Sequence, residues 1–432
     1  MMAPLGVALA GLGTVGAGVF ALLRDRAETL AERAGRPIRV VAVSARDRTR
    51  DRGLDLDGVA WFDDAAEMAR DADADIFVEL IGGEDGIAKA ACEAALDAGR
   101  DVVTANKALL ARHGTRLARL AEETGRTLGF EAAVAGGIPI VKALREGLAA
   151  NRISAIYGIL NGTCNYILTQ MRETGRPFDE VLADAQALGY AEADPAFDID
   201  GIDAAHKLAI LTALGFGTEI DFDGVHVEGI RHVSADDIVF AEELGYRIKL
   251  LGIARRTAHG IEQRVHPCMI PQAAPLARVE GVFNAVVAEG DSVGTTVFEG
   301  RGAGAGPTAS AVVADIVDLA RGLRLPVFAA PAAGLAPAGT AAMERHAGPY
   351  YLRLVVVDRP GVIADVAAAL RDEQISMESM IQRGRAPGEA VPVVLTTHET
   401  EEAAMTRALA RIETLGSVVQ APRMIRIESL VS

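Results

Sequence analysis

The sequence predicts an α/β protein in three parts: a doubly wound parallel sheet, an α+β domain, and a small ferredoxin-like domain. Three observations carry this expectation. An apolar run feeds a glycine-rich turn and then a helical pattern before Phe20, β-prone and helix-period segments alternate to about residue 130, and the end of the chain reads strand, helix, strand, strand, helix, strand.

Taken in order, Val7 to Ala10 is the first strand, Gly11-Leu12-Gly13-Thr14-Val15-Gly16 the turn, and helix-period sequence continues through Phe20, Leu22, Leu23 and Leu30. Further strands are expected at Ile38 to Val43, Asp75 to Leu80, Val102 to Thr104 and Thr127 to Phe130, with helices at Ile87 to Ala98 and Leu109 to Glu123. That alternation is the Rossmann-type plan, a parallel sheet covered on both faces. The second part mixes helices (Ile138 to Ala149, Phe178 to Leu188, Asp203 to Leu214) with strands near Ile248 to Ile253, Gln263 to Met269 and Ala285 to Val287. Its sheet should be open on one face. A break at Gly302 to Thr308 precedes a helix from Ala309 to Arg321 that should return to the first domain.

Residues Ala329 to Ala342 hold two prolines, two glycines and no charge, which is linker composition. Beyond them come a strand at Tyr351 to Val357, a helix at Gly361 to Arg371, strands at Ser376 to Arg383 and Ala390 to His398, a helix at Glu401 to Ile412 and a strand at Val418 to Ile427. The expected divisions are 1–135, 136–320, a linker at 321–348, and 349–432.

Composition narrows the function. Of 432 residues, 50% are hydrophobic and 24% charged, enough to build packed cores. The net charge of -16 repels nucleic-acid backbones and anionic membranes, so neither is an expected partner. Three scattered cysteines, Cys92, Cys164 and Cys268, form neither a disulfide framework nor a thiolate metal site, which fits a cytoplasmic protein. Residues 1–23 are uncharged and include Ala8-Leu9-Ala10, yet they lack the basic start of a leader and carry five glycines by residue 18. They read as strand and turn.

The spacing of Gly11, Gly13 and Gly16, between a strand and a helix, is that of a dinucleotide cradle: a tight turn, a bare backbone for the pyrophosphate, and close helix packing. The second strand ends in Ser44-Ala45-Arg46-Asp47, where an acid at the strand end would favour NAD; Arg46 suits the 2′-phosphate of NADP, and NADP is preferred.

A second constellation lies at Gly189-Tyr190-Ala191-Glu192-Ala193-Asp194-Pro195-Ala196-Phe197-Asp198-Ile199-Asp200-Gly201-Ile202-Asp203-Ala204-Ala205-His206-Lys207. Pro195 and Gly201 keep Glu192, Asp194 and Asp198 in a loop, while Asp203 and Lys207, four apart, share a helix face. An exposed acidic loop with one surface ion pair is the plain alternative. Thr104-Ala105-Asn106-Lys107 follows the fourth strand, at the carboxyl edge where open α/β sheets bind ligands.

Together GLGTVG, TANK at 104–107, NGTCNYIL at 161–168 and the block at 189–207 resemble homoserine dehydrogenase up to about residue 320, and Leu352-Arg353-Leu354-Val355-Val356-Val357-Asp358-Arg359-Pro360-Gly361-Val362-Ile363 resembles an ACT regulatory domain. The resemblance implies an α+β catalytic and dimerisation domain in the middle, and NAD(P)-dependent interconversion of L-homoserine and L-aspartate 4-semialdehyde in the route to threonine and methionine. It implies that Lys207 is the proton donor, that Lys107 is the second active-site lysine, that Asp203 belongs with them to the catalytic group, and that Glu192, Asp203 and Asp198 hold the substrate. It adds Thr104, Lys107, Gly189, Gly304 and Gly306 to the cofactor contacts, and a sodium site at Glu131, Val134, Gly136 and Ile138. It also implies a homodimer or homotetramer and feedback by threonine, with the Asp358 to Gly361 turn as a place for a ligand carboxylate.

Two rival readings follow from the same residues. Cys164 would serve a thiol-dependent semialdehyde dehydrogenase, although Asn161, Thr163 and Asn165 offer it no base. A non-catalytic sensor of dinucleotide and amino acid would need neither the lysines nor the acid cluster.

Overall fold

The computed structural model describes residues 3–383 and 386–430. The first sheet holds β1 (Leu5–Ala10), β2 (Ile38–Ser44), β3 (Ala60–Phe62), β4 (Ile76–Glu79), β5 (Asp101–Thr104) and β6 (Leu128–Gly129), in the order β3-β2-β1-β4-β5-β6. Every neighbouring pair is parallel. All six residues of β1 are buried, as a central strand covered on both faces requires. One face packs helices Ala65–Asp71, Ile87–Asp97 and Lys107–Glu123; the other packs Thr14–Asp25 together with Ala305–Ala320, a helix that comes back from far along the chain.

Local departures from the sequence reading have local causes. β3 and the Ala65–Asp71 helix escaped it because three half-exposed residues at a sheet edge, after the polar 46–58 loop, carry no periodic signal. The first helix breaks at Arg26 into Thr14–Asp25 and Ala27–Ala34. The helix expected at Ile138 to Ala149 is one α-turn, Ile140–Lys142, followed by a π-turn, Ala143–Gly147. The last strand begins at Arg423, because Val418 makes only an isolated bridge to Val356.

The second part contributes β7 (Ile153–Ile159), β8 (His226–Val227), β9 (Tyr246–Thr257), β10 (Gly260–Pro271), β11 (Phe283–Gly290) and β12 (Gly294–Arg301). The third contributes β13 (Ala347–Gly348), β14 (Tyr350–Val357), β15 (Met377–Gln382), β16 (Ala390–Thr397), β17 (Thr400–Glu401) and β18 (Arg423–Ile427). The sequence implied two sheets here. Instead one sheet runs β12-β11-β7-β9-β10-β18-β14-β16-β15, joined where Cys268 pairs with Arg426 and Met269 with Ile427 in parallel register. Backbone pairing between distant strands leaves no local mark in a sequence, so the junction could not be read there. The middle sheet is also less open than expected: helices Gly162–Thr174 and Ile202–Phe216 cover one face, and the Pro275–Arg278 turn covers Tyr157, Leu251, Ile253 and Ile270 on the other.

Candidate active site

The glycine turn does its three jobs by geometry. Gly11 has φ +99°, and a Cβ there would lie 2.4 Å from the Leu80 carbonyl oxygen, so β1 turns tightly past β4. A Cβ on Gly16 would strike the Gly11 oxygen at 1.9 Å, which fixes close packing of helix on turn. A Cβ on Gly13 would meet nothing within 4 Å. Gly13 is the exposed N-cap of the Thr14–Asp25 helix, so the turn sets a helix N-terminus, with the unpaired backbone N–H groups such an end carries, beside the carboxyl end of β1. Gly304 caps the Ala305–Ala320 helix, whose Ala305 oxygen would lie 3.3 Å from a Cβ on Gly18; the Gly304 to Gly306 loop therefore adjoins this cradle.

A cleft of about 330 Å³ continues from the cradle along the carboxyl ends of β1 and β2, with Gly13, Ser44, Arg46, Arg50 and Arg52 in its wall. Asp47, the acid that would seek a ribose hydroxyl, instead accepts from the Thr49 N–H at 2.8 Å and the Thr49 hydroxyl at 2.7 Å. Arg48 is occupied by the Trp61 ring, 5.7 Å from its centroid. Arg46 is left exposed at the rim.

Further along the same edge lies a cleft of about 440 Å³, bounded by Gly82, Gly83, Asn106, Lys107, Phe197 and His206. Its floor is built by strand ends. Glu79, fully buried, accepts from the Ile81 and Gly82 N–H groups at 2.8 and 2.9 Å and from the Thr104 hydroxyl at 2.5 Å. Asn106 caps the Lys107–Glu123 helix and donates 2.7 Å to the Gly83 oxygen. Lys107 is thereby fixed at the first turn of a helix, aimed out of the sheet. Glu79 went unremarked in the sequence, although an acid closing the apolar run Ile76-Phe77-Val78 at a carboxyl edge was visible.

From the second domain, the Ile202–Phe216 helix brings Asp203 and Lys207. The two oxygens of Asp203 divide between the lysines: Lys107 Nζ lies 3.1 Å from Oδ1, and Lys207 Nζ 2.7 Å from Oδ2. Lys207 also donates 2.7 Å to the Leu160 oxygen, leaving one of its three donors. Asn161, the N-cap of the Gly162–Thr174 helix, donates to Asp203 at 2.9 Å and to Asp198 at 2.8 Å. Thr163 adds a 3.3 Å donation to Asp198. One amide thus gathers both acids, a role not seen in the sequence because it depends on the fold bringing residues 161, 198 and 203 together.

The charges act on one another. Burial alone would raise the Asp203 pKa, but the Lys207 and Lys107 ammonium groups hold it well below the carboxylate range. Burial lowers that of Lys207, against the pull of Asp203 and with help from Lys107. Burial and the Asp203 charge push Asp198 up. His206, stacked on Phe222 at 4.4 Å, is pushed down to about 4 by burial and by Lys107, so it is a neutral wall at working pH. Glu192 and Gly189 stand apart on the exposed side of the loop; Glu192 contributes only its backbone oxygen, to Gln186.

Cys164 is fully buried, its Sγ donates 3.2 Å to the Asp198 oxygen, and burial among acids pushes its thiol pKa well up. That is the opposite of an activated nucleophile. Among the described residues, one cluster, His266, Cys268 and Glu428, has metal-like proximity. Arg264 fills it, donating to His266 Nε2 at 2.9 Å and to Glu428 at 2.5 Å, and its charge opposes a metal cation.

A glycine turn of the dinucleotide-binding kind and, further along the same sheet edge, two lysines sharing one buried carboxylate are the arrangement of a nicotinamide-linked oxidoreductase. Residues 11–131 match the homoserine dehydrogenase NAD binding domain, residues 139–317 the family described as homoserine dehydrogenase, and residues 350–414 the ACT domain. A homoserine dehydrogenase of Neisseria gonorrhoeae is 49% identical over 435 residues, covering 99% of this chain and all (100%) of its own. The crystal structure of a homoserine dehydrogenase from Thiobacillus denitrificans has a TM-score of 0.94 at 48% identity, covering 99% of both chains. A hyperthermophilic archaeal homoserine dehydrogenase in complex with NADPH has a TM-score of 0.64 at 27% identity, covering 74% of this chain and 99% of its own. The chain belongs to the homoserine dehydrogenase family.

Proposed function

We propose that Lys107, Asp203 and Lys207 act as one unit in the interconversion of L-homoserine and L-aspartate 4-semialdehyde. Bound NAD(P) supplies or accepts the hydride. Reduction of the aldehyde builds negative charge on its oxygen; Lys107, lining the cleft, neutralises that charge, and Lys207, whose burial loosens its hold on a proton, donates it. In the other direction the same nitrogen takes the hydroxyl proton. Asp198, whose carboxylate is only partly spent on Asn161 and Thr163, is the receiver of the substrate ammonium, with Glu192 closing from the loop and Asp203 fixing both lysines.

The observation that carries this reading is the sharing of one buried carboxylate by two lysines a hundred residues apart. NADP is our preferred cofactor, supported by Arg46 and Arg50 in the adenosine cleft and by the commitment of Asp47 to Thr49. Thr104, Gly189, Gly304 and Gly306 are proposed further cofactor contacts. The carbonyls of Glu131, Val134, Gly136 and Ile138 are a candidate sodium cradle: Ala135 and Gly136 have φ of 54° and 49°, which curls the loop, and the Glu131 side chain is spent on the Val141 and Lys142 N–H groups.

We divide the chain at 1–135, 136–320, 321–348 and 349–432, and read the last part as a threonine sensor. No described helix is long and apolar enough to cross a membrane. Three buried, unpaired cysteines support a cytoplasmic setting. Edge strand β12, with Val297 exposed on it and Val293 exposed just before it, supports a homodimer or homotetramer.

Initial rates of homoserine oxidation with NADP and with NAD test the reading. Lys207→Met and Lys107→Met are each expected to lower kcat by about 10²–10⁴-fold, and Arg46→Ala to raise KM for NADP while leaving that for NAD. Near-normal kcat in either lysine variant would overturn the assignment of the unit.

A further inference from the structure

Asn284, 1% exposed, stands on β11 one residue before Ala285, which pairs with Ile159 of β7 in antiparallel register. It therefore lies opposite Leu160, the residue between β7 and the helix cap Asn161. Its Nδ2 donates 3.0 Å to the Leu160 oxygen, the same atom to which Lys207 Nζ donates at 2.7 Å. A carbonyl oxygen has two lone pairs, and here a neutral donor and a charged one take one each. The amide can face only this way, because its own oxygen would meet the Leu160 oxygen acceptor to acceptor.

The surroundings are shaped for this amide. A Cβ on Gly302 would fall 2.1 Å from Asn284 Cγ and 2.1 Å from Nδ2, so the amide lies against bare backbone. Gly302 is itself fixed: its oxygen would be 2.4 Å from a Cβ on Gly136, and the Gly137 N–H donates 3.0 Å to the neighbouring Arg301 oxygen. From Gly302 the chain runs straight into the Gly304 to Gly306 loop. Asn284 Oδ1 is buried with no partner among the described residues, 3.4 Å from where a Cβ on Gly162 would stand, in the first turn of the Gly162–Thr174 helix. The positive end of that helix suits an oxygen, but a buried acceptor without a hydrogen bond still costs stability. An apolar side chain would carry no such cost, so what keeps an asparagine here is the donor at Nδ2.

We propose that Asn284 is a positioning residue for proton transfer: it fixes the direction of the Leu160 carbonyl and occupies half of that oxygen, so that Lys207 is held by a weakened acceptor. The proposal rests on reading Lys207 as the proton donor. Its physical basis is the amide dipole, whose N–H end points at the oxygen the ammonium shares; positive ends brought together disfavour the charged form of Lys207. The other groups facing Lys207 are Asp203 on its own helix, Lys107 from the first domain, Asp198 from the preceding turn and the buried thiol of Cys164. Asp203 and Asp198 favour the ammonium, while Lys107 and burial oppose it. Asn284 adds to the opposing side without titrating itself.

The test is the pH dependence of kcat for homoserine oxidation by the full chain, in wild type, Asn284→Ala, Gly302→Ala, Ala285→Gly and Lys207→Met. Lys207 must be neutral to take the hydroxyl proton, so kcat rises with pH through its titration. Asn284→Ala leaves the Leu160 oxygen wholly to the ammonium, and the rise should move to higher pH by about half a unit, roughly a threefold change in proton affinity. Gly302→Ala, whose Cβ displaces the amide from its other side, should move the rise the same way, and it reports even if Asn284→Ala folds poorly. Ala285→Gly loosens the same strand but keeps both donors on the Leu160 oxygen, and should leave the rise in place. A rise that stays put or moves to lower pH in Asn284→Ala and Gly302→Ala overturns the proposal, as does an equal shift in Ala285→Gly. A rise that persists in the residual activity of Lys207→Met overturns the proton-donor reading and the proposal with it. Loss of the rise in Lys207→Met, beside an unmoved rise in the two amide variants, overturns the proposal alone.

Discussion

At the scale of single residues, the glycine turn separates two kinds of necessity that the sequence alone presents as one motif. Gly16 is required by the fold, since a Cβ would sit 1.9 Å from a backbone oxygen that cannot retreat. Gly13 is free of the fold, since its missing Cβ faces open space. Gly13→Val should therefore cost no more than the roughly 1 kcal/mol of a poorer helix cap while raising KM for the dinucleotide tenfold or more, because the new side chain fills the place a pyrophosphate must approach. Gly16→Ala should lower stability by several kcal/mol, of the order of 1–3 or more for overpacking. A Gly13→Val protein with an unchanged KM, measured by initial rates alongside thermal melts, would show that the cradle is not where the dinucleotide binds. Lys107, Lys207 and Asp203 were legible because an edge position and an i,i+4 pair are local facts. Asn161, Glu79 and His206 were not, because each acquires its role from partners brought near only by folding.

At the scale of elements, long periodic segments were readable and short ones were not. The strands of the parallel sheet carry unbroken apolar runs, and their helices carry the 3.6-residue repeat, so β1, β2, β4 and β5 fall within a few residues of the sequence reading. β3, three residues at an edge, lacked enough length, and β7, seven residues before the NGTC motif, was missed because Ser154 and Gly158 interrupt its apolar run. What the elements do for the site is place helix starts at strand ends. Asn161 shows the economy of this: its Oδ1 accepts from the Cys164 N–H at 2.8 Å to cap a helix, while its Nδ2 ties Asp198 to Asp203. Asn161→Ala loses a cap, about 1 kcal/mol, and also releases two neighbouring carboxylates. Asn161→Asp keeps the cap acceptor but sets a third acid beside the other two. Asn161→Ala is thus expected to lower kcat/KM with a small loss of stability, and Asn161→Asp to lower both further, because three like charges then crowd a buried site. Equal kcat/KM in both variants would mean that the amide link between the acids does not matter.

At the scale of the whole molecule, the feature the sequence concealed is the continuous sheet, secured by charge as well as by the apolar contacts of Tyr351, Val394, Ile425 and Ile427 with the middle domain's core. Arg426 on β18 is 2% exposed and forks twice: toward Glu402 at 2.5 and 2.9 Å in its own domain, and toward Glu228 at 2.8 and 3.1 Å in the middle one. An arginine inside Met424-Ile425-Arg426-Ile427, paired in register with Cys268 of β10, was a visible oddity whose meaning needed the pairing of two strands. Arg426→Met strands the buried Glu402 and removes the tie to Glu228; breaking a buried pair in this way costs about 3–5 kcal/mol. The expected readouts are a lower melting temperature at pH 7 and faster proteolytic cleavage within 321–348 as the C-terminal domain undocks. Acid should reproduce the effect in the wild type. The hydrogen bonds from His226 and Arg426 overcome burial to hold Glu228 down to about 2 from an ordinary 4.5, so the stability it lends is complete above about pH 4.5 and drains away as pH falls toward 2. Because Arg426→Met lacks most of that stabilisation, its melting temperature should fall less steeply than the wild type's between those two values. If the two proteins melt together at pH 7 and fall in parallel below it, the domains are held by something other than this arginine.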